Sequence, residues 1–203
     1  MPKVNFKFDK EKDLYNIWQT CNYDSDLDDF KKSVNPKILE ICEGKEFEEC
    51  REELEDYRDK FYRSQYPEHC VEFFQKAWDK INDEYFRRLE KITGKKFPFE
   101  KVDAYITSVG RCPYNPKKEN PFFMVSVFFD ILKAMMVAGH ETMHLHFHNT
   151  HWPEIEEKIG KEKTFDLKEA LTVLLNIEFK DLWFYMDPGY SSHKELRDFI
   201  SKT

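Results

Sequence analysis

A proline-free run from Phe128 to His148 constrains this chain more than any other segment. Its apolar residues, among them Ile131, Leu132, Ala134, Met135, Met136, Val137, Ala138, Met143, Leu145 and Phe147, spread over nearly the whole circumference of a helix. Such a helix is buried rather than amphipathic. Inside it stands His140-Glu141-Thr142-Met143-His144. Two imidazoles and a carboxylate in an apolar helix are costly to desolvate unless something pairs with them, and one metal ion would serve all three. Residues i and i+4 of a helix lie roughly 5 to 6 Å apart at Cβ, so both imidazoles can reach one ion with Zn–N bonds of about 2.0 to 2.1 Å. Glu141, one residue on, is placed to hold and deprotonate a water activated by the metal rather than to bind the metal itself.

The neighbouring histidines read differently. His148 continues the stripe, but at 1.5 Å per residue it lies about 12 Å beyond His140 along the axis, so no single ion binds His140, His144 and His148 on a straight helix. His146 projects from the opposite side, and His151 precedes Trp152-Pro153 in an expected loop. Packing, hydrogen bonding or exposure is the expected role of these three, with a second metal site at His146, His148 and His151 as the alternative.

A catalytic zinc takes three protein ligands and keeps a position open. The longer pattern HExxHxxGxxH is not met, because Phe147 and Thr150 stand where its glycine and third histidine would be. A downstream carboxylate is therefore expected. Thr164 to Asn176 reads as a second helix, with Thr164 or Asp166 as its N-cap. Leu167, Ala170, Leu171, Leu174 and Leu175 form its apolar stripe, while Glu169, Thr172 and Asn176 share the other side. One carboxylate among small or uncharged polar groups suits a wall facing a metal pocket. Glu169 is the expected third ligand, and Glu178 or the cluster Glu154, Glu156 and Glu157 are the alternatives.

An HExxH helix followed by a glutamate on the next helix, 25 residues after His144, resembles the gluzincin branch of zinc metallopeptidases in its compact, minimal members, from about Lys101 to the C-terminus. The His-Glu-x-x-His-x-x-x-His run with a Glu-Ala-containing helix is also similar to metallopeptidases that cleave phage-type repressors. The NExxSD pattern of thermolysin-like members is not present, since Lys168 precedes Glu169 and Val173 follows it by four. The resemblance implies Zn2+ as cofactor, a peptide or protein substrate, and a sheet ahead of the active helix whose edge strand binds extended peptide. Val102–Val109 and Phe122–Val127 are the candidate strands, separated by a turn or loop over Gly110–Pro116. It also implies a tyrosine or histidine that steadies the tetrahedral oxyanion, for which Tyr190, His193 and Tyr185 are candidates. A non-catalytic zinc-binding regulatory or interaction module is the alternative function.

At 203 residues, 40% apolar and 16% aromatic, the chain has material for a sizeable core. The first hundred residues are dense in charge and helical in pattern over Phe47–Arg63 and Pro67–Ile92. The expected class is α+β, with an N-terminal helical region (1–98) packed on a zincin-like domain (99–203) and a junction near Thr93-Gly94. The balance of 32 basic against 39 acidic residues carries no footprint for nucleic acid. Asp130 and Lys133 interrupt the most apolar stretch and argue against a membrane span. The first residues lack the apolar core of a signal peptide. The five cysteines form no CxxC pair, so reduced thiols and a cytoplasmic location are expected. Nothing in the sequence sets an oligomeric state.

Overall fold

The structure, a computed structural model, describes residues 1–24 and 29–202. Four strands form one mixed sheet: β1 (Lys3–Lys7), β2 (Lys101–Thr107), β3 (Tyr114–Asn115) and β4 (Phe122–Ser126). Their order is β1-β2-β4-β3, with β1, β2 and β4 parallel and β3 antiparallel to β4. Alternation sets the faces of β1, where Val4 and Phe6 are buried. Around the sheet lie α1 (Lys10–Asn22), α2 (Pro36–Cys42), α3 (Phe47–Tyr62), α4 (Tyr66–Thr93), α5 (Ile131–Thr150), α6 (Trp152–Ile159), α7 (Lys161–Leu171), α8 (Leu174–Glu178), α9 (Lys180–Trp183) and α10 (Lys194–Ile200). The class is α+β. No helix among the described residues is long and apolar enough to cross a membrane.

The two expected regions share both sheet and core. β1, from the first residues of the chain, pairs with β2 from Lys3↔Lys101 to Lys7↔Tyr105. One apolar cluster joins Val4, Phe6, Trp78, Tyr85 and Phe86 to Ala104, Phe123, Ala138, Leu145 and Phe179. A boundary at residue 98 thus passes through a common sheet and a common core. A second cluster, built from Leu14, Ile17, Ile38, Ile41 and Leu54, ties α1, α2 and α3 together.

Three expectations are corrected. Neither β2 nor β4 is an edge: β4 lies between β2 and β3, so the edge on that side is β3, inside the stretch expected to be a turn or loop. β3 is brief because Pro113 and Pro116 flank it and neither has an N–H to give a ladder. The glutamate-bearing helix starts at Lys161 rather than at Thr164 or Asp166, behind Gly160 at φ +83°. The Thr164 hydroxyl donates to the Gly160 carbonyl within that first turn. The same helix stops at Leu171 instead of running to Asn176, because the Thr172 and Val173 N–H groups turn back three residues, to Glu169 and Ala170.

The active-helix candidate α5 begins at Asp130, whose carboxylate accepts from the Lys133 N–H. Gly139 lets it settle deep in the core. The Trp183 ring lies over the glycine so closely that a Cβ there would meet Cη2 at 2.6 Å, and the Tyr85 hydroxyl donates to the Gly139 carbonyl at 2.6 Å. The residue before His140 is thereby fixed from both sides.

Candidate metal centre

One turn apart on α5, the His140 and His144 rings stand with centroids 4.3 Å apart. α7 brings Glu169 against them, with Oε2 3.3 Å from His144 Nε2. One donor atom from each of the three residues lies within 4.8 Å of the others, and among the described residues this is the one group of its kind. A tetrahedral ion with bonds of about 2.0 to 2.2 Å needs donors roughly 3.3 Å apart. The His144–Glu169 pair already stands at that spacing, and with all three donors within 4.8 Å of one another the group is close enough to hold a metal ion.

Outer partners orient the first of these ligands. His140 Nδ1 lies 3.3 Å from Asp187 Oδ1, which leaves Nε2 for a metal. Asp187 is itself held tightly. Its N–H donates to Asn176 Oδ1 at 2.7 Å and its carbonyl accepts from Asn176 Nδ2 at 2.8 Å. Arg197 Nη1 reaches Asp187 Oδ2 at 3.1 Å and Thr172 Oγ1 at 2.6 Å, and its Nη2 donates to the Asp187 carbonyl at 2.8 Å. Gly189 (φ +61°) permits this, since a Cβ there would strike the Arg197 guanidinium at 2.5 Å. Of the expected polar face Glu169 lines the site, whereas Thr172 and Asn176 stand behind it and hold Arg197 and Asp187. His144 Nδ1, by contrast, has no partner among the described residues.

Lys168 was not expected here. Its side chain is 3% exposed, with Nζ 2.6 Å from Glu169 Oε1 and 3.3 Å from the Tyr114 hydroxyl of β3. Burial alone would raise the Glu169 carboxyl, but the His144 imidazole and the Lys168 ammonium outweigh it and hold the group well below the usual carboxylate range. Burial, then the charges of Lys168 and His140, drive His144 down to about 3, so it presents a neutral imidazole to a metal. For His140 burial is overcome by the hydrogen bond and charge of Asp187, and its affinity for a proton rises. Asp187 falls to about 2: burial opposes ionisation, and His140, Thr172 and Arg197 outweigh it.

Two adjoining cavities open on this group. One, of about 380 Å3, has a largely apolar lining that includes Phe129, Met136 and Val137 and reaches His140, Glu141 and Tyr190. The other, of about 210 Å3, is lined by His140, Glu141, His144, Glu169, Lys168, Tyr114, Arg111 and Tyr190. Glu141 and Tyr190 thus face the same space as the metal-ligand candidates. Burial pushes Glu141 up to about 7 against the pull of His140 and Lys168.

Other expected residues lie elsewhere. His193 is buried with Nε2 3.1 Å from Asp166 Oδ1 and lines neither cavity, because the turn before α10 directs it at α7. Tyr185 lines neither as well. His146 meets the Thr93 hydroxyl at 2.8 Å and stacks on Phe97, whereas His148 stacks on Trp152 at 4.6 Å. The three distal histidines are not gathered around one point. Glu154 pairs with Lys158, and Glu156 accepts from the Trp152 indole. Of the carboxylates considered as third ligand, the structure brings Glu169 to the two histidines. Lys168, Asp187 and Arg197 escaped sequence reasoning, although Asp187-Pro188-Gly189 carries a turn signal.

No protein-family model matches the chain, and comparison with curated proteins and with solved structures returns no significant match.

Proposed function

We propose that the chain is a zinc-dependent metallopeptidase of zincin type that hydrolyses peptide bonds. The observation that carries this reading is the convergence of His140, His144 and Glu169 on one point, with Glu141 in the wall of the same cavity. A non-catalytic metal site has no need of a further buried carboxyl that faces the same cavity as the ligands without joining them.

Zinc, when bound, would supply Lewis acidity, lowering the pKa of water toward about 7 and polarising a carbonyl. Glu141 accepts the proton as water attacks the peptide carbonyl, then returns it to the leaving amine. His140 is kept in its ligating tautomer by Asp187, whose own position is fixed by Arg197 and Asn176. Tyr190, which lines both cavities, is the donor this reading assigns to the oxyanion. β3 supports a peptide-binding edge: its Tyr114 lines the metal cavity, and a groove of about 850 Å3 runs along Tyr114, Asn115 and Phe122. The experiment is cleavage of a mixed peptide library by wild-type protein and Glu141→Gln, with metal content measured in both. The variant should retain zinc and lose hydrolysis by at least about a hundredfold. Zinc retained with cleavage undiminished removes Glu141 from the chemistry, and zinc with no cleavage by the wild type leaves a regulatory metal module.

A further inference from the structure

Arg111 lines both the metal cavity and the long groove beside β3, at the place where the two meet. Its guanidinium is held from one side only. Nη1 donates to Asn16 Oδ1 at 3.1 Å and approaches Gln19 Oε1 at 3.4 Å, and the group lies over the Tyr23 ring at 4.4 Å. The backbone is clamped as well, since Asn16 Nδ2 donates to the Arg111 carbonyl at 3.0 Å. All these partners are neutral. Among the described residues Arg111 pairs with no carboxylate, whereas Arg197 at the same site is neutralised by Asp187 and Lys168 by Glu169.

A guanidinium offers five N–H donors in a planar fork, and among the described residues one nitrogen, Nη1, is engaged. It is half-buried and already oriented, and among the described residues no carboxylate pairs with it to offset its desolvation. With a divalent ion on His140, His144 and Glu169, the cavity that holds Lys168 and Arg111 carries a net positive charge, because Glu141 and Glu169 are its acidic side chains. The complementary group is a planar anion that accepts two N–H bonds.

We propose that Arg111 forms a subsite that selects substrates bearing a carboxylate close to the bond to be cut. That group is either a free C-terminus, which would make the protein an exopeptidase, or an acidic side chain. This inference deepens the peptidase reading and rests on it for the identity of the ligand. Arg111 is a specificity residue in this scheme and takes no part in proton transfer.

The test uses zinc-loaded full-length Glu141→Gln protein, which cannot consume its ligand, and three acetylated peptides titrated by calorimetry. One ends in a free acid, the second is the same peptide as an amide, and the third is an amide with an internal glutamate. One of the two carboxylate peptides should bind roughly 10- to 100-fold more tightly than the neutral amide. Preference for the free acid identifies the terminal carboxylate; preference for the internal glutamate identifies the side chain. Adding Arg111→Gln should erase the difference, and Arg111→Lys should keep part of it, with thermal unfolding confirming that both variants fold. Equal or undetectable binding of all three peptides, or a preference unchanged in Arg111→Gln, overturns the proposal. Peptide cleavage by the wild type separates the two levels. An Arg111-dependent preference without cleavage sinks the peptidase reading alone, and cleavage without the preference sinks the subsite alone.

Discussion

Replacing Lys168 with methionine separates the fold's need for this charge from the metal's. The substitution keeps most of the side-chain volume and removes the ammonium, which stands 2.6 Å from Glu169 Oε1 and over the Tyr114 and Phe165 rings at 5.0 and 4.6 Å. Breaking a buried ion pair by deleting one partner costs about 3 to 5 kcal/mol. Glu169 retains His144 at 3.3 Å, so the lower end applies, about 3 kcal/mol. For a chain of this length each kcal/mol moves Tm by about 2 to 4 °C, which gives a loss of roughly 6 to 12 °C in chelator. Zinc reverses the balance. The ion supplies Glu169 with a new cation, and the repulsion between Lys168 and the ion is gone, so zinc should raise the Tm of Lys168→Met by more than it raises that of the wild type. The Glu169 pKa is depressed in the fold, so its contribution is complete above the ordinary value of 4.5 and is lost as pH falls below it. The gap between the two proteins should accordingly begin to narrow as pH falls below about 4.5 and close only well below the usual carboxylate range. Calorimetric scans with zinc and with chelator give both quantities. A chelated variant within about 2 °C of wild type, or equal zinc-induced shifts in the two proteins, would refute the reasoning.

Three further outcomes are expected. Asp187→Asn removes the group that raises the His140 pKa, so zinc affinity at pH 8 should fall about 10- to 100-fold, and the acid limb of zinc binding should move to lower pH, as read by calorimetric titration across pH. Gly139→Ala gains helix propensity worth about 1 kcal/mol, but its Cβ meets Trp183 at 2.6 Å, and overpacking of about 1 to 3 kcal/mol should leave a net loss in urea unfolding. His146 is held down to about 4 by burial and then by the charges of His151 and Lys95, so stability should decline as pH falls from 6.5 toward 4, by up to about 3 kcal/mol; His146→Gln should flatten that slope.

The candidate metal site was legible wherever local periodicity carried it. His140, Glu141 and His144 declare their geometry through four-residue spacing, and the polar face of Glu169, Thr172 and Asn176 stood out because it lacked the lysines of a solvated surface. The parts that were not legible are long-range. Asp187 reaches His140 only because a turn folds back under Arg197 and Asn176, and no spacing encodes that. Lys168 carries no signal of burial in its own segment, because the cover comes from Tyr114 of β3, 54 residues earlier. The same limit hid the sheet's edge, since two residues between prolines give no alternation to read. β1 was overlooked although Val4 and Phe6 alternate, because the partner that buries them lies nearly a hundred residues away.

The central claim is that one zinc ion is held jointly by neighbouring turns of α5 and by α7. Its most direct measurement is the metal content, by mass spectrometry, of protein purified without added metal, together with His144→Ala and Glu169→Ala variants checked for folding by circular dichroism. One zinc per wild-type chain, lost from both folded variants, is the expected result. A wild-type chain without stoichiometric metal, or variants that keep their full complement of zinc, would contradict it.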